Sequence, residues 1–383
     1  MATRRNDLGP NEGLIGEADA RQRLTTPALV LDLDRFDANL ATMARLAEES
    51  GQSLRPHAKS HKCSTIAKAQ IAAGAVGVCC ASLREAEAMV AAGVTGVLLT
   101  SPVVGEAKIG RLATLAAAAP DLMVVVDNPR NVTEIDAAAG AAGAHLRMLV
   151  DVDPGLGRTG VIGSQSALAL ARDIDRAGNL SFAGVQAYSG MVQHIENYAA
   201  RRDTYGPQLD DLKQICDALI KAGLAPGIVT GGGTGSHHID REMRTLNELQ
   251  VGSYAFMDVQ YNAVEILPDA PLPFETALTV RCSVVSNNAE GYVTIDGGLK
   301  CFATDGPEPV VAWGAPPGAV YQFMGDEHGR ITFAKAGAHL EIGAALELIT
   351  PHCDPTVNLH DFIHCVRGDT LADIWAVDAR GVL

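Results

Sequence analysis

An eight-stranded β/α barrel followed by a mainly β domain, an α/β architecture, is what this chain predicts, on three observations. Between Ser53 and Tyr254 short apolar runs alternate with Ala-rich amphipathic stretches, repeating every 25–30 residues or so, the rhythm of successive β/α units. Eight apolar runs can be marked out, the number that closes a (β/α)8 barrel. After about Pro268 the helical periodicity stops, and strand-like runs separated by Gly, Pro, Asn and Asp take over.

In chain order, Ala28-Leu29-Val30-Leu31-Asp32-Leu33 is a strand-like run ahead of a helix from about Arg35 to Glu49. Eight strands follow without it, so it is assigned to the β domain. The barrel strands are Leu54–Lys59, Val76–Ala81, Gly96–Ser101, Leu122–Asp127, Leu146–Asp151, Phe182–Tyr188, Gly227–Gly231 and Leu249–Tyr254. Their continuous apolar character suits strands buried on both faces. Helices are expected over Thr65–Ala73, Leu83–Ala92, Ala107–Ala118, Pro129–Ala142, Gln165–Ala177 and Asn197–Ala222. The later strands are Val280–Val285, Tyr292–Asp296, Ile331–Ala334 and Ala345–Ile349. The expected division is a barrel over 36–268 and a β domain built from 1–35 plus 269–383.

With 383 residues, 47% of them hydrophobic, there is chain for a large core and two domains. A formal net charge of −15 argues against nucleic acid or an anionic membrane as partner. The Met1–Asp7 start has no apolar stretch, and no unbroken apolar run approaches a membrane span. Eight cysteines are scattered without a CxxC, and Cys79 and Cys80 would face opposite sides of one strand. A reducing cytoplasmic location is expected.

Barrel active sites gather at the C-terminal strand ends. There stand Lys59, with His57 two residues before it; Asp151–Gly160; Gln186-Ala187-Tyr188-Ser189-Gly190 with Gln193-His194; Thr230–Ser236; and Gly252-Ser253-Tyr254. A lysine just past a strand is usually a solvated surface group. A desolvated amine beside His57, His61 and Lys62, however, is expected to have a lowered pKa and to attack carbonyls. Gly231-Gly232-Gly233-Thr234-Gly235-Ser236 offers backbone N–H groups and two hydroxyls to an anion; the alternative is a flexible loop. Its position after barrel strands seven and eight favours phosphate. Gly155-Leu156-Gly157-Arg158-Thr159-Gly160 fits the dinucleotide pattern G-x-G-x-x-G. It lies mid-chain, though, and its helix begins only near Ser164, so that reading is set aside. His352-x-Asp354 has the spacing of a nitrogen-plus-carboxylate metal pair on one face of an extended segment, with Cys353 pointing away; a simple turn before Pro355 is the plainer alternative. His237 and His238 read as solvated loop residues, and His360 and His364 as core or surface.

These residues together resemble the fold-type III pyridoxal-phosphate enzymes, with their alanine racemase-like barrel, in the branch of D-threonine aldolase and D-serine dehydratase. The resemblance rests on Thr26–Asp32, Arg55-Pro56-His57-Ala58-Lys59, Gln186-Ala187-Tyr188, Thr230–Gly235, Gly252–Asp258, Asp326-Glu327-His328-Gly329 and Pro351–Asp361. It implies that Lys59 carries the Schiff base to pyridoxal 5'-phosphate. It implies a phosphate cradle of Thr230, Gly232, Gly233, Thr234, Gly235, Gly252, Ser253 and Tyr254, with Arg158 and Tyr188 against the pyridine ring. His352 and Asp354 would hold a divalent metal (Mn, Mg, Co or Zn), and His194 is the candidate base. His-x-Asp is the aldolase form of the metal motif, His-x-Cys the dehydratase form. The implied reaction is cleavage of a small D-β-hydroxy-α-amino acid to glycine and an aldehyde, in a head-to-tail homodimer. The rivals are a 3-hydroxy-D-aspartate aldolase, a D-serine or D-threo-3-hydroxyaspartate dehydratase, a racemase and a non-catalytic cofactor carrier. Ser189 departs from the family pattern, which has histidine after the tyrosine.

Overall fold

The eight apolar runs pair side by side, and six of them form strands shorter than the run. In this computed structural model, which describes residues 8–268, 270–335 and 337–381, the barrel strands are Ser53–Leu54, Cys79–Cys80, Leu98–Leu99, Met123–Val126, Leu146–Asp151, Leu180–Ala187, Ile228–Gly231 and Glu248–Leu249. The Met1–Asp7 start lies outside the described residues. From the second strand on, each pairs in parallel with the next, and the eighth pairs with the first. The ring closes through a parallel bridge between His57 and Cys79, whose N–H donates to the Pro56 carbonyl at 2.8 Å.

Pro129–Ala142 illustrates why the intervening stretches are helical. The Asn128 side chain accepts from the Arg130 N–H, Pro129 sits where its missing N–H costs nothing, and left-handed Gly143 donates to the Ala139 and Gly140 carbonyls. Val132, Ile135 and Ala139 line the buried face at helical spacing; the two larger ones contribute roughly 1.5–3 kcal/mol each. Inside the ring Cys79, Leu98, Met123, Val125, Leu149 and Ala183 form their own small core. Cys80 belongs instead to the packing outside the ring, so neighbouring cysteines face apart, and all eight thiols are free and buried.

Ala28–Asp32 joins the second sheet, antiparallel to Leu278–Ser286 and parallel to Phe362–Arg367. Among the described residues this sheet has nine strands. Val310–Trp313, Val320–Phe323, Phe362–Arg367 and Thr370–Ala376 were not expected from the sequence. Val310–Trp313 is largely exposed and lacks alternation. Phe362–Arg367 hides behind His364, a core histidine held by Asn11 at 2.9 Å and the Leu29 carbonyl at 3.0 Å. A further unexpected helix, His237–Met243, follows barrel strand seven. No helix among the described residues is long and apolar enough to cross a membrane.

Candidate active site at the barrel mouth

After Ser53–Leu54 the chain stays extended to His57, whose Nδ1 accepts from the Lys59 N–H at 3.3 Å and starts the 3-10 turn Ala58–Ser60. That turn presents Lys59, its side chain 36% exposed, at the C-terminal rim, where Nζ contacts the Asp354 carboxylate. The expectation of a lowered lysine pKa is therefore corrected. Burial is the largest single influence and does oppose the charge, but Asp354, then Tyr188, together outweigh it and hold the ammonium above its ordinary range. The sequence neighbours His57 and His61 add no positive charge at neutral pH, because burial lowers both.

On the loop after barrel strand five, Asp153 Oδ1 accepts from the N–H groups of Gly155, Leu156 and Gly157 at 2.7–3.1 Å. The folded loop sets the Arg158 guanidinium 5.7 Å from the Tyr188 ring centroid. Thr159 Oγ1 and Gln186 Nε2 donate to Asp151 at 2.7 and 2.9 Å, and Gln250 Nε2 donates to Gln186 Oε1 and Thr230 Oγ1. Thr230 thus belongs to a buried polar layer across the barrel, in which burial pushes Asp151 up to about 6. The helix after this loop runs Gly163–Arg176 and does not begin at the glycine motif, as expected.

The glycine run is a cradle with fixed walls. Gly232 adopts φ +68°, a left-handed conformation glycine tolerates, and any Cβ on Gly235 would strike the Gln193 carbonyl. Ser236 Oγ accepts from the Gly233 N–H and from Gln193 Nε2, and donates to Asp240 Oδ2 at 2.9 Å; Gln193 Oε1 accepts from the Gly235 N–H. Thr234 Oγ1 accepts from the Tyr254 N–H at 2.9 Å, joining this loop to Gly252-Ser253. The N–H groups of Thr234, Gly252 and Ser253 find no acceptor among the described residues, the condition an anion would relieve. Tyr254 turns its ring onto Phe274. His237 is a correction: it is buried within the helix, with Nδ1 2.8 Å from the Thr234 carbonyl oxygen. His238, half-buried, meets the Tyr198 hydroxyl at 3.2 Å.

The metal motif also departs from expectation. Only His352 is extended; Cys353–Val357 is a short helix, because Asp258 Oδ2 takes the Cys353 N–H at 2.8 Å and Thr356 Oγ1 closes back on the His352 carbonyl. Cys353 is buried and does not point away from its neighbour, since Sγ lies 3.3 Å from Asp354 Oδ1. The Val259 N–H donates to the Thr350 carbonyl and the Gln260 N–H to that of Pro351, so the segment is stitched to the chain leaving Gly252-Ser253. His194 ends the 3-10 turn Met191–His194, its ring centroid 4.7 Å from that of Tyr261 and 6.4 Å from that of His352. Burial, then the neighbouring His352, lowers its pKa. Ser189 is buried, and its carbonyl accepts from Gln193 Nε2. His360 bonds the Cys301 carbonyl away from these groups. Two carboxylates escaped the sequence reading: Asp258, which only its place in the Gly252–Asp258 segment hinted at, and Asp305, 2.8 Å from His352 Nδ1, which nothing local marks.

A closed ring of parallel strands, a lysine at its rim, a glycine cradle and a second β sheet define a barrel of the alanine racemase type, and the chain belongs to that family of fold-type III pyridoxal-phosphate proteins. The model of "Alanine racemase, N-terminal domain" matches residues 31–260, and that of "Putative serine dehydratase domain" matches 277–366. Among particular proteins, the chain is 41% identical to a D-threonine aldolase of an Arthrobacter species, over 95% of this chain and 94% of that one. It is 37% identical to a 3-hydroxy-D-aspartate aldolase of Paracoccus denitrificans, over 94% and 92%. The crystal structure of D-threonine aldolase from Filomicrobium marinum is similar with a TM-score of 0.89 at 41% identity, covering 94% of this chain and 96% of that one.

Proposed function

We propose that this chain is a pyridoxal-phosphate- and divalent-metal-dependent aldolase that cleaves D-β-hydroxy-α-amino acids of the D-threonine kind to glycine and an aldehyde. The observation that carries the proposal is the contact between Lys59 Nζ and the Asp354 carboxylate, which brings the lysine at the end of strand one against the metal motif. The cofactor fits these residues. Lys59 would be the attaching amine, Arg158 and Tyr188 would contact the ring, and the unsatisfied N–H groups of Thr234, Gly252 and Ser253 would hold the phosphate, with Thr230, Gly232, Gly233, Gly235 and Tyr254 shaping the cradle. The metal fits as well. His352 and Asp354 supply one nitrogen and one carboxylate donor; among the described residues no group of three or more such side chains is gathered, at this site or at any other.

When bound, pyridoxal phosphate supplies an electron sink for the charge left at Cα, and a divalent ion (Mn, Mg, Co or Zn) supplies a Lewis acid for the β-hydroxyl. The chain's own groups do the rest. His194, kept neutral by burial, accepts the hydroxyl proton as Cα–Cβ cleavage proceeds. Lys59 Nζ, on the rim beside Asp354, returns a proton to Cα. Tyr261 packs against His194 and restricts its ring.

The enzyme is read as a head-to-tail homodimer in the cytoplasm, with a barrel over 36–268 and a β domain from 1–35 plus 269–383; eight free thiols support the reducing compartment. The 37% identity to a 3-hydroxy-D-aspartate aldolase supports a second substrate of the same class. The test is product analysis on D-threonine, D-phenylserine and 3-hydroxy-D-aspartate with pyridoxal phosphate and Mn²⁺. Glycine plus aldehyde is expected; ammonia plus a 2-oxo acid would mean a dehydratase, and no turnover a cofactor carrier.

A further inference from the structure

The His352 imidazole has two nitrogens and needs one lone pair free to bind a cation. Its Nδ1 lies 2.8 Å from Asp305 Oδ2. An ionised carboxylate only accepts, so Nδ1 carries the hydrogen and the Nε2 lone pair is left for the metal. Asp305 is itself placed by the fold. Two residues before it, the Ala303 N–H donates to Thr356 Oγ1 at 2.9 Å, and the same hydroxyl donates to the His352 carbonyl at 2.8 Å. Thr356 is fully buried and also takes a hydrogen bond from Thr350 Oγ1 at 3.1 Å. One hydroxyl therefore ties the Asp305 loop and the His352 backbone together, while the imidazole and the carboxylate meet above it. After Asp305, a Cβ on Gly306 would come within 2.9 Å of Gln260 Nε2, so the loop also presses on the segment leaving the phosphate cradle.

We infer that Asp305 is a positioning residue of the metal site, fixing the tautomer and ring orientation of His352 without itself binding the ion. The inference rests on the proposed metal role of His352 and Asp354, and it assigns a residue 47 positions upstream of the motif. Partners of this kind to a ligating histidine typically change metal affinity by roughly 10–100-fold.

The test is Mn²⁺ uptake by the full-length, pyridoxal-phosphate-loaded protein, followed by titration calorimetry and by the electron paramagnetic resonance of free Mn²⁺. Asp305→Ala should raise the Mn²⁺ Kd on the order of tenfold or more. Asp305→Asn keeps an acceptor for Nδ1–H and should stay within about threefold of the unaltered chain. Because the Asp305 side chain is 54% exposed, both variants should keep the unfolding temperature and cofactor absorbance of the unaltered protein without metal. Unchanged Mn²⁺ affinity in Asp305→Ala overturns the inference and leaves the metal proposal standing. Equal losses in Ala and Asn overturn it too, since they would assign Asp305 a charge or ligand role. No uptake by the unaltered chain removes the metal proposal, and this inference with it.

Discussion

The phosphate cradle and the metal segment sit at the same barrel mouth but are built in opposite ways. The cradle is made of backbone: Gly231–Gly235 follows one strand, and its walls come from Gln193, Ser236 and Thr234, on the loops after successive barrel strands. The metal segment is made of side chains, three of them drawn from distant places, with Asp258 under Cys353, Asp305 on the imidazole and Lys59 on Asp354, while Thr356 of the segment itself closes on His352. A backbone site needs glycine where a Cβ would collide, and so it marks the sequence. A side-chain site needs only ordinary residues brought together, and leaves little trace.

The largest effect should come where the two regions meet. Lys59→Ala removes the attaching amine and should cost roughly a thousandfold or more in turnover, with loss of the visible Schiff-base band when pyridoxal phosphate is added; a persisting band would point to a different lysine. Asp354→Ala should separate the regions, lowering turnover on the order of a hundredfold while the cofactor spectrum survives. Near-normal rates in that variant, or indifference of the unaltered enzyme to EDTA, would discard Asp354 as a ligand. Gly235→Ala should do the reverse. Its new methyl meets the Gln193 carbonyl, so pyridoxal-phosphate affinity should fall roughly tenfold, about 1.4 kcal/mol, with Mn²⁺ affinity unmoved; equal losses of both would make the two regions one unit.

The smallest effect lies behind the cradle. Burial raises the Asp240 carboxyl to about 7. A raised acid contributes stability that is complete below its unfolded pKa and is lost as pH climbs through 7. Asp240→Asn should therefore gain on the unaltered protein between pH 5 and 8, by on the order of 1–2 kcal/mol. Thermal unfolding across that range checks it, and a pH-independent difference would rule it out.

What could be read in the sequence follows the same division. The eight barrel strands were legible because each is an apolar run between helical stretches, although Leu54–Lys59, Val76–Ala81, Gly96–Ser101 and Leu249–Tyr254 shrink to two-residue strands. Lys59, the glycine run and His352-x-Asp354 were legible as local patterns. The charge on Lys59 was misjudged because its neighbours in sequence are histidines, whereas its neighbour in space is Asp354, 295 positions away. His237 was misread because nothing local announced the helix that buries it. Asp305 was invisible for the reason that makes it useful: its partner comes from another part of the chain. Four strands of the second sheet escaped because exposed edges and a buried, bonded histidine both break apolar alternation.

Strand Ala28–Asp32 carries a consequence for how the molecule is made. It is synthesised before any of the barrel, yet its two flanking partners begin at Leu278 and Phe362. During most of translation an apolar ribbon with both edges open must wait for neighbours that do not yet exist, which is the circumstance that invites wrong pairing and aggregation. The final strands, Phe362–Arg367 and Thr370–Ala376, arrive last and complete the second sheet around it.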